Sequence, residues 1–81
     1  MAPRAKSSKP LTLTQASLNL GLRVRAARRR HGFTQERLGE RLGLSSNFIA
    51  HLERGSRQPS LHTIVGLARV LGVSISSLFR A

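Results

Sequence analysis

Residues 34–55 read TQERLGERLGLSSNFIAHLERG, and the fold is decided in this stretch. Gly39 falls inside a run that otherwise suits a helix, where glycine costs about 1 kcal/mol relative to alanine. A small side chain kept at such a cost predicts a close approach, with the next helix crossing over this spot. Four residues on, Gly43 supplies the left-handed backbone that a sharp helix exit needs and that a side chain would resist. Leu38, Leu42, Leu44, Ile49 and Leu52 then face inward and lock two short helices, spanning Gln35 to Arg54 and joined by Gly43-Leu44-Ser45, at a large crossing angle. Small residue, turn glycine and buried isoleucine, spaced by four and then six, are the constraints of a helix-turn-helix.

Outward from this unit, one helix-start signal recurs. A Ser or Thr cap is preceded by an apolar residue that meets another apolar residue five positions later, the hydrophobic staple. Phe33 and Leu38 bracket Thr34, Leu44 and Ile49 bracket Ser45, and Val73 and Leu78 bracket Ser74. Leu11-Thr12 with Gln15 at the capping-box position, and Pro59-Ser60 followed by Ile64, are weaker starts. Glycines 32, 43, 55 and 72 each follow a helical stretch. The chain therefore reads as all-α, with five short helices near 13–30, 35–42, 46–54, 61–71 and 75–80. Leu20, Val24 and Ala27 share one face of the first helix, and Leu61, Ile64, Val65, Ala68 and Leu71 stripe the fourth. Residues 1–10 carry Arg4, Lys6 and Lys9, two prolines and no apolar period, which predicts a flexible basic arm ahead of a folded domain at 11–81.

Composition narrows the function. Fourteen Lys and Arg against 3 acidic residues give a formal charge of +11 on 81 residues, which points to a polyanionic partner. A 40% hydrophobic content is enough for a modest core and too high for a simple basic tail. The absence of cysteine excludes a disulfide framework, a thiolate zinc site and a cysteine nucleophile, and fits a reducing compartment. There is no signal-peptide h-region or apolar run of spanning length, so a cytoplasmic protein is expected. No cofactor, metal or small-molecule ligand is expected either: His31 and His62 are far apart in sequence, no carboxylate cluster supports them, and no glycine-rich phosphate loop follows a strand.

The segment FTQERLGERLGLSSNFIAHLERGSRQPSLHTIVGLARVLGVSISSLF, together with the first helix from about residue 20, resembles the lambda-repressor-like superfamily of the Cro/C1 or xenobiotic-response-element type. Its most specific pieces are Thr34-Gln35-Glu36, Leu42-Gly43-Leu44-Ser45, Leu52-Glu53-Arg54-Gly55, Pro59-Ser60 and Leu71-Gly72-Val73-Ser74. The resemblance implies a five-helix DNA-binding domain, commonly a homodimer, whose third helix enters the major groove of a roughly palindromic operator.

On that third helix Ser46, Asn47, Ala50, His51 and Arg54 point away from Ile49 and Leu52. Ser45, Ser46, Asn47 and His51 are candidates for base readout, at positions matching the family's base-contacting ones. Asn47 can pair bidentately with adenine, and Ala50 can meet a thymine methyl. Phosphate contacts are expected from Gln35 at the start of the second helix and from Arg54, Ser56 and Arg57 after the third. Phe48 reads as core. Glu53 would repel phosphate if it faced DNA, so it is expected to be structural, and the resemblance gives Arg28 as its ion-pair partner. Arg29 and Arg30 are solvated or reach flanking phosphates, and Phe79 is either core or a dimer contact.

A sequence-specific transcriptional regulator acting on double-stranded DNA, a repressor in the first instance, follows from this reading. An antitoxin-type autorepressor or a restriction-modification controller would use the same domain. A protein-interaction module that has lost DNA reading is a rival from another class, favoured by the bland Ser46 and Ala50. A cationic membrane-surface protein ranks lower, because the apolar faces are taken up by helix packing.

Overall fold

The computed structural model describes residues 12–80, which form five helices: α1 Leu13–Arg30, α2 Gln35–Leu42, α3 Ser46–Glu53, α4 Leu61–Leu71 and α5 Ile75–Leu78. The 1–10 arm, Leu11 and Ala81 lie outside the described residues. Each helix begins at a Ser or Thr whose hydroxyl oxygen accepts a backbone N–H from the first turn: Thr12, Thr34, Ser45, Ser60 and Ser74, at 3.0–3.2 Å. At Thr12 the box is reciprocal, since the Gln15 side-chain oxygen accepts the Thr12 N–H at 3.0 Å.

The exit from α2 fixes the direction of the following chain. Gly43 sits at φ +69°, and the Leu44 N–H turns back to donate to the Gly39 carbonyl at 2.8 Å, closing a six-residue cap. Only three residues therefore separate α2 from α3, with Leu44 packed against the core and Ile49 wholly buried. Phe33 with Leu38 and Val73 with Leu78 repeat the arrangement at α2 and α5.

Leu20, Val24 and Ala27 of α1, Leu38 of α2, Ile49 and Leu52 of α3, Leu67, Ala68 and Leu71 of α4 and Leu78 of α5 make one core. α1 lies across α3, α4 and α5, while α2 packs on α3 and α4. The stripe expected on α4 is displaced: Leu61 and Val65 are exposed, and Leu67 takes the buried place. Ile64, Ala68 and Leu71 define the inward face in either case. Apolar residues flank that face on both sides, and periodicity could not choose between them. α3 and α5 end at Glu53 and Leu78, one and two residues before the expected limits, because the chain tightens there into three-residue turns: Gly55 N–H to Leu52 O, and Phe79 N–H to Ser76 O. Phe79 is half-buried against the core.

Candidate nucleic-acid interface

The site begins with what holds α3 in place. Glu53, at its C-terminal end, is buried, and so is Arg28 on α1. The guanidinium grips the carboxylate in a fork, Nε to Oε2 at 2.6 Å and Nη2 to Oε1 at 3.1 Å, and Nη1 donates to the Phe33 carbonyl at 2.8 Å. Gln35, the first residue of α2, adds its side-chain N–H to Glu53 Oε1 at 3.2 Å. The Arg28–Glu53 pair thus joins α1, the α1–α2 loop, α2 and α3. The hydrogen bonds to Glu53 hold the Arg28 guanidinium above arginine's already high range. They outweigh the opposing effect of burial, and the charges of Glu53 and Glu36 act in the same direction.

Two glycines set the distances between these elements. A Cβ on Gly39 would collide with the Leu44 carbonyl oxygen, so the close approach is made by the turn itself rather than by the body of α3. Gly21, in the middle of α1, was not singled out from the sequence. A Cβ there would lie 2.5 Å from the Glu53 carbonyl oxygen and 2.6 Å from that of Leu52. The signal was the one that identified Gly39, a costly glycine inside a helix. Gly21 lets the end of α3 rest directly on α1.

With Ile49, Leu52 and Glu53 buried, α3 presents its remaining residues outward. Ser45 is the N-cap, its oxygen accepting the Phe48 N–H at 3.0 Å, so its hydroxyl hydrogen stays available. Ser46 and Ala50 are half-buried, and Asn47 is exposed with no hydrogen-bond partner among the described residues. His51, Arg54 and Ser56 form a cluster: Arg54 Nη2 and Ser56 Oγ each lie 3.1 Å from His51 Nδ1. Arg57, exposed in the following loop, places its guanidinium 5.1 Å from the centre of the Phe48 ring. Phe48 packs against the core from the other side, so it is both partial core and a platform for Arg57.

Of the expected phosphate groups, the structure brings Arg54 and Ser56 together around His51 and sets Arg57 on Phe48. Gln35 is separate, its amide turned inward to Glu53. The backbone N–H groups at the start of α2 remain a positive helix end. His31, given no role from the sequence, has one in packing: its Nε2 donates to the Leu71 carbonyl at 2.7 Å while the ring stacks on Phe33. Among the described residues no three His, Cys, Asp or Glu side chains gather where a metal could sit, and no helix is long and apolar enough to cross a membrane.

The helix-turn-helix family model matches residues 24–78. The immunity repressor protein of Bacillus phage phi105 is 34% identical over 61 residues, 75% of this chain; the chain spans 42% of that repressor's length. Among solved structures, the restriction-modification controller protein C.AhdI from Aeromonas hydrophila superposes with a TM-score of 0.71 at 35% identity, covering 76% of this chain and 94% of that one. The P22 c2 repressor protein, in complex with a synthetic operator, superposes with a TM-score of 0.72 at 30% identity, covering 75% and 92%.

Proposed function

The chain belongs to the helix-turn-helix family of the Cro/C1 type, and from that premise we propose that it is a sequence-specific transcriptional regulator of double-stranded DNA, acting as a repressor. The observation that carries this is the division of α3. Its one carboxylate is buried and neutralised by Arg28, which leaves a face of Ser46, Asn47, Ala50, His51 and Arg54 with no exposed negative charge. Such a face, on a chain of formal charge +11, suits a major groove between two phosphate tracks.

In this reading Ser45, Ser46, Asn47 and His51 meet base edges, with Asn47 reading adenine through its paired donor and acceptor. The N-terminus of α2 at Gln35, and Arg54, Ser56 and Arg57, meet phosphates on either side. Stacking on Phe48 limits the freedom of the Arg57 side chain before DNA arrives, which lowers the entropy lost on contact. Each subunit reads one half-site, two subunits meet a roughly palindromic operator, and the protein works in the cytoplasm. It acts by binding and not as an enzyme. Glu53 lies in the ion pair, Glu40 is 3.4 Å from Arg37, and Glu36 serves the positive end of α2. The likeness to C.AhdI favours a second reading within the same chemistry, the controller of a restriction-modification operon.

Titration with operator-length duplexes drawn from a random pool tests the proposal. Six to ten phosphate contacts predict a loss of affinity of about 10³ to 10⁵ between roughly 50 and 200 mM salt. Absent or salt-independent binding would reject DNA as the partner and leave the protein-interaction reading.

A further inference from the structure

A guanidinium carries only N–H groups and accepts no hydrogen bond, so Arg54 Nη2 can approach His51 Nδ1 to 3.1 Å only by donating to a free lone pair on that nitrogen. A neutral imidazole with a free Nδ1 bears its proton on Nε2. Ser56 is compatible with this arrangement. Its backbone N–H and hydroxyl both reach the His51 carbonyl, at 3.0 and 3.1 Å, and its one rotatable hydrogen can serve either that carbonyl or Nδ1. Nε2 has no partner among the described residues.

We infer that Arg54 is a positioning residue that fixes His51 as a hydrogen-bond donor, and that the base opposite His51 in each half-site is guanine. The inference rests on α3 being the recognition helix. In the major groove guanine offers two adjacent acceptors, N7 and O6; adenine and thymine each set one acceptor beside an amino donor or a methyl group, and cytosine offers the N4 amino donor. A single N–H aimed outward therefore favours guanine and opposes cytosine. Without Arg54, Nδ1 can take the proton and donate it to Ser56 Oγ. Nε2 then becomes an acceptor, and the discrimination against cytosine is lost. Arg54 thus acts on sequence choice through the imidazole, while its other N–H groups remain free for phosphate.

Two measurements on the full chain test this at mildly alkaline pH. Ring-nitrogen NMR of the free wild-type protein should show a pyridine-like Nδ1 and a pyrrole-like Nε2 for His51, and Arg54→Ala should move both towards the averaged values of mixed tautomers. Selection from random duplexes should give guanine over cytosine at one half-site position by on the order of tenfold. His51→Ala should abolish that preference. Arg54→Ala should reduce it several-fold at that position alone, beyond any uniform loss of affinity. His51 is half-buried on the outer side of α3 and Arg54 is its exposed C-cap, and unchanged circular dichroism of the variants would confirm intact folding.

A protonated Nδ1 in the wild type, or the same tautomer with and without Arg54, would overturn the positioning role. Cytosine, adenine or thymine preferred at the position, or a base preference indifferent to His51→Ala, would overturn the guanine assignment. Should the wild type bind no duplex, the recognition-helix reading itself fails and takes the base assignment with it, whereas the NMR result still decides what Arg54 does to the ring. Failure of the premise is thereby told apart from failure of the inference.

Discussion

A carboxylate on a helix that faces a polyanion weakens binding unless it is turned inward and neutralised. Glu53 meets both conditions, with three N–H donors on its two oxygens and a side chain only 4% exposed. Removing it would leave the Arg28 guanidinium buried without a counter-charge, a loss of about 3 to 5 kcal/mol for a pair of this kind. For a domain of this size, each kcal/mol shifts the melting temperature by roughly 4–8 °C. Glu53→Ala should therefore lower the midpoint by tens of degrees when thermal unfolding is followed by circular dichroism. Arg28→Lys keeps the charge but loses the fork and the bond to the Phe33 carbonyl, and should fall between the two. Because the guanidinium's affinity for its proton is raised by folding, its contribution is present below the unfolded arginine value and is lost only as pH rises through the folded one. Raising the pH from neutral to mildly alkaline should thus leave the Arg28 guanidinium charged and in place.

At the scale of elements, glycines that look alike in sequence differ in what surrounds them. Gly39 and Gly66 both sit inside helices, where alanine would gain about 1 kcal/mol of helix propensity. A Cβ on Gly39 would strike the Leu44 backbone carbonyl, which cannot yield without opening the turn. A Cβ on Gly66 would meet only the end of the Leu42 side chain, at 3.1 Å. Gly39→Ala should consequently destabilise the protein despite its propensity gain, whereas Gly66→Ala should be neutral or stabilising by up to about 1 kcal/mol. Urea midpoints of the two variants give the comparison directly. Helix starts and turns were legible in the sequence because each depends on a few neighbouring residues: a Ser or Thr, a glycine, and a staple of two apolar side chains. What Gly39 makes room for was less legible, since a costly glycine announces a close neighbour without naming it. The side of α4 that turns inward was hidden by apolar residues on both flanks. The seating of Arg57 on Phe48 and of Ser56 on His51 depends on the path of the chain after Gly55, and no local pattern records that path; Arg54 meets His51 by the ordinary three-residue spacing at a helix end.

For the molecule as a whole, a formal charge of +11 suggests a partner without saying which cations meet it. Arg28 is withdrawn into the interior, and Arg37 lies beside Glu40 on the surface. Arg57 is exposed, held on an aromatic face and next to α3, so it is expected to release about one counterion's worth of salt dependence when it meets a phosphate. Arg57→Ala should weaken binding to every duplex by a similar factor and reduce the slope of log affinity against log salt by about 1. Asn47→Ala changes no charge and should leave that slope unaltered. Its effect belongs at a single base position, where preference for adenine should fall by about 1 to 3 kcal/mol. Measured together on one preferred and one scrambled duplex across a salt series, the two variants separate affinity from choice. A slope that moved with Asn47→Ala, or a base preference that moved with Arg57→Ala, would mean that charge and readout are not divided between the loop and α3 in this way.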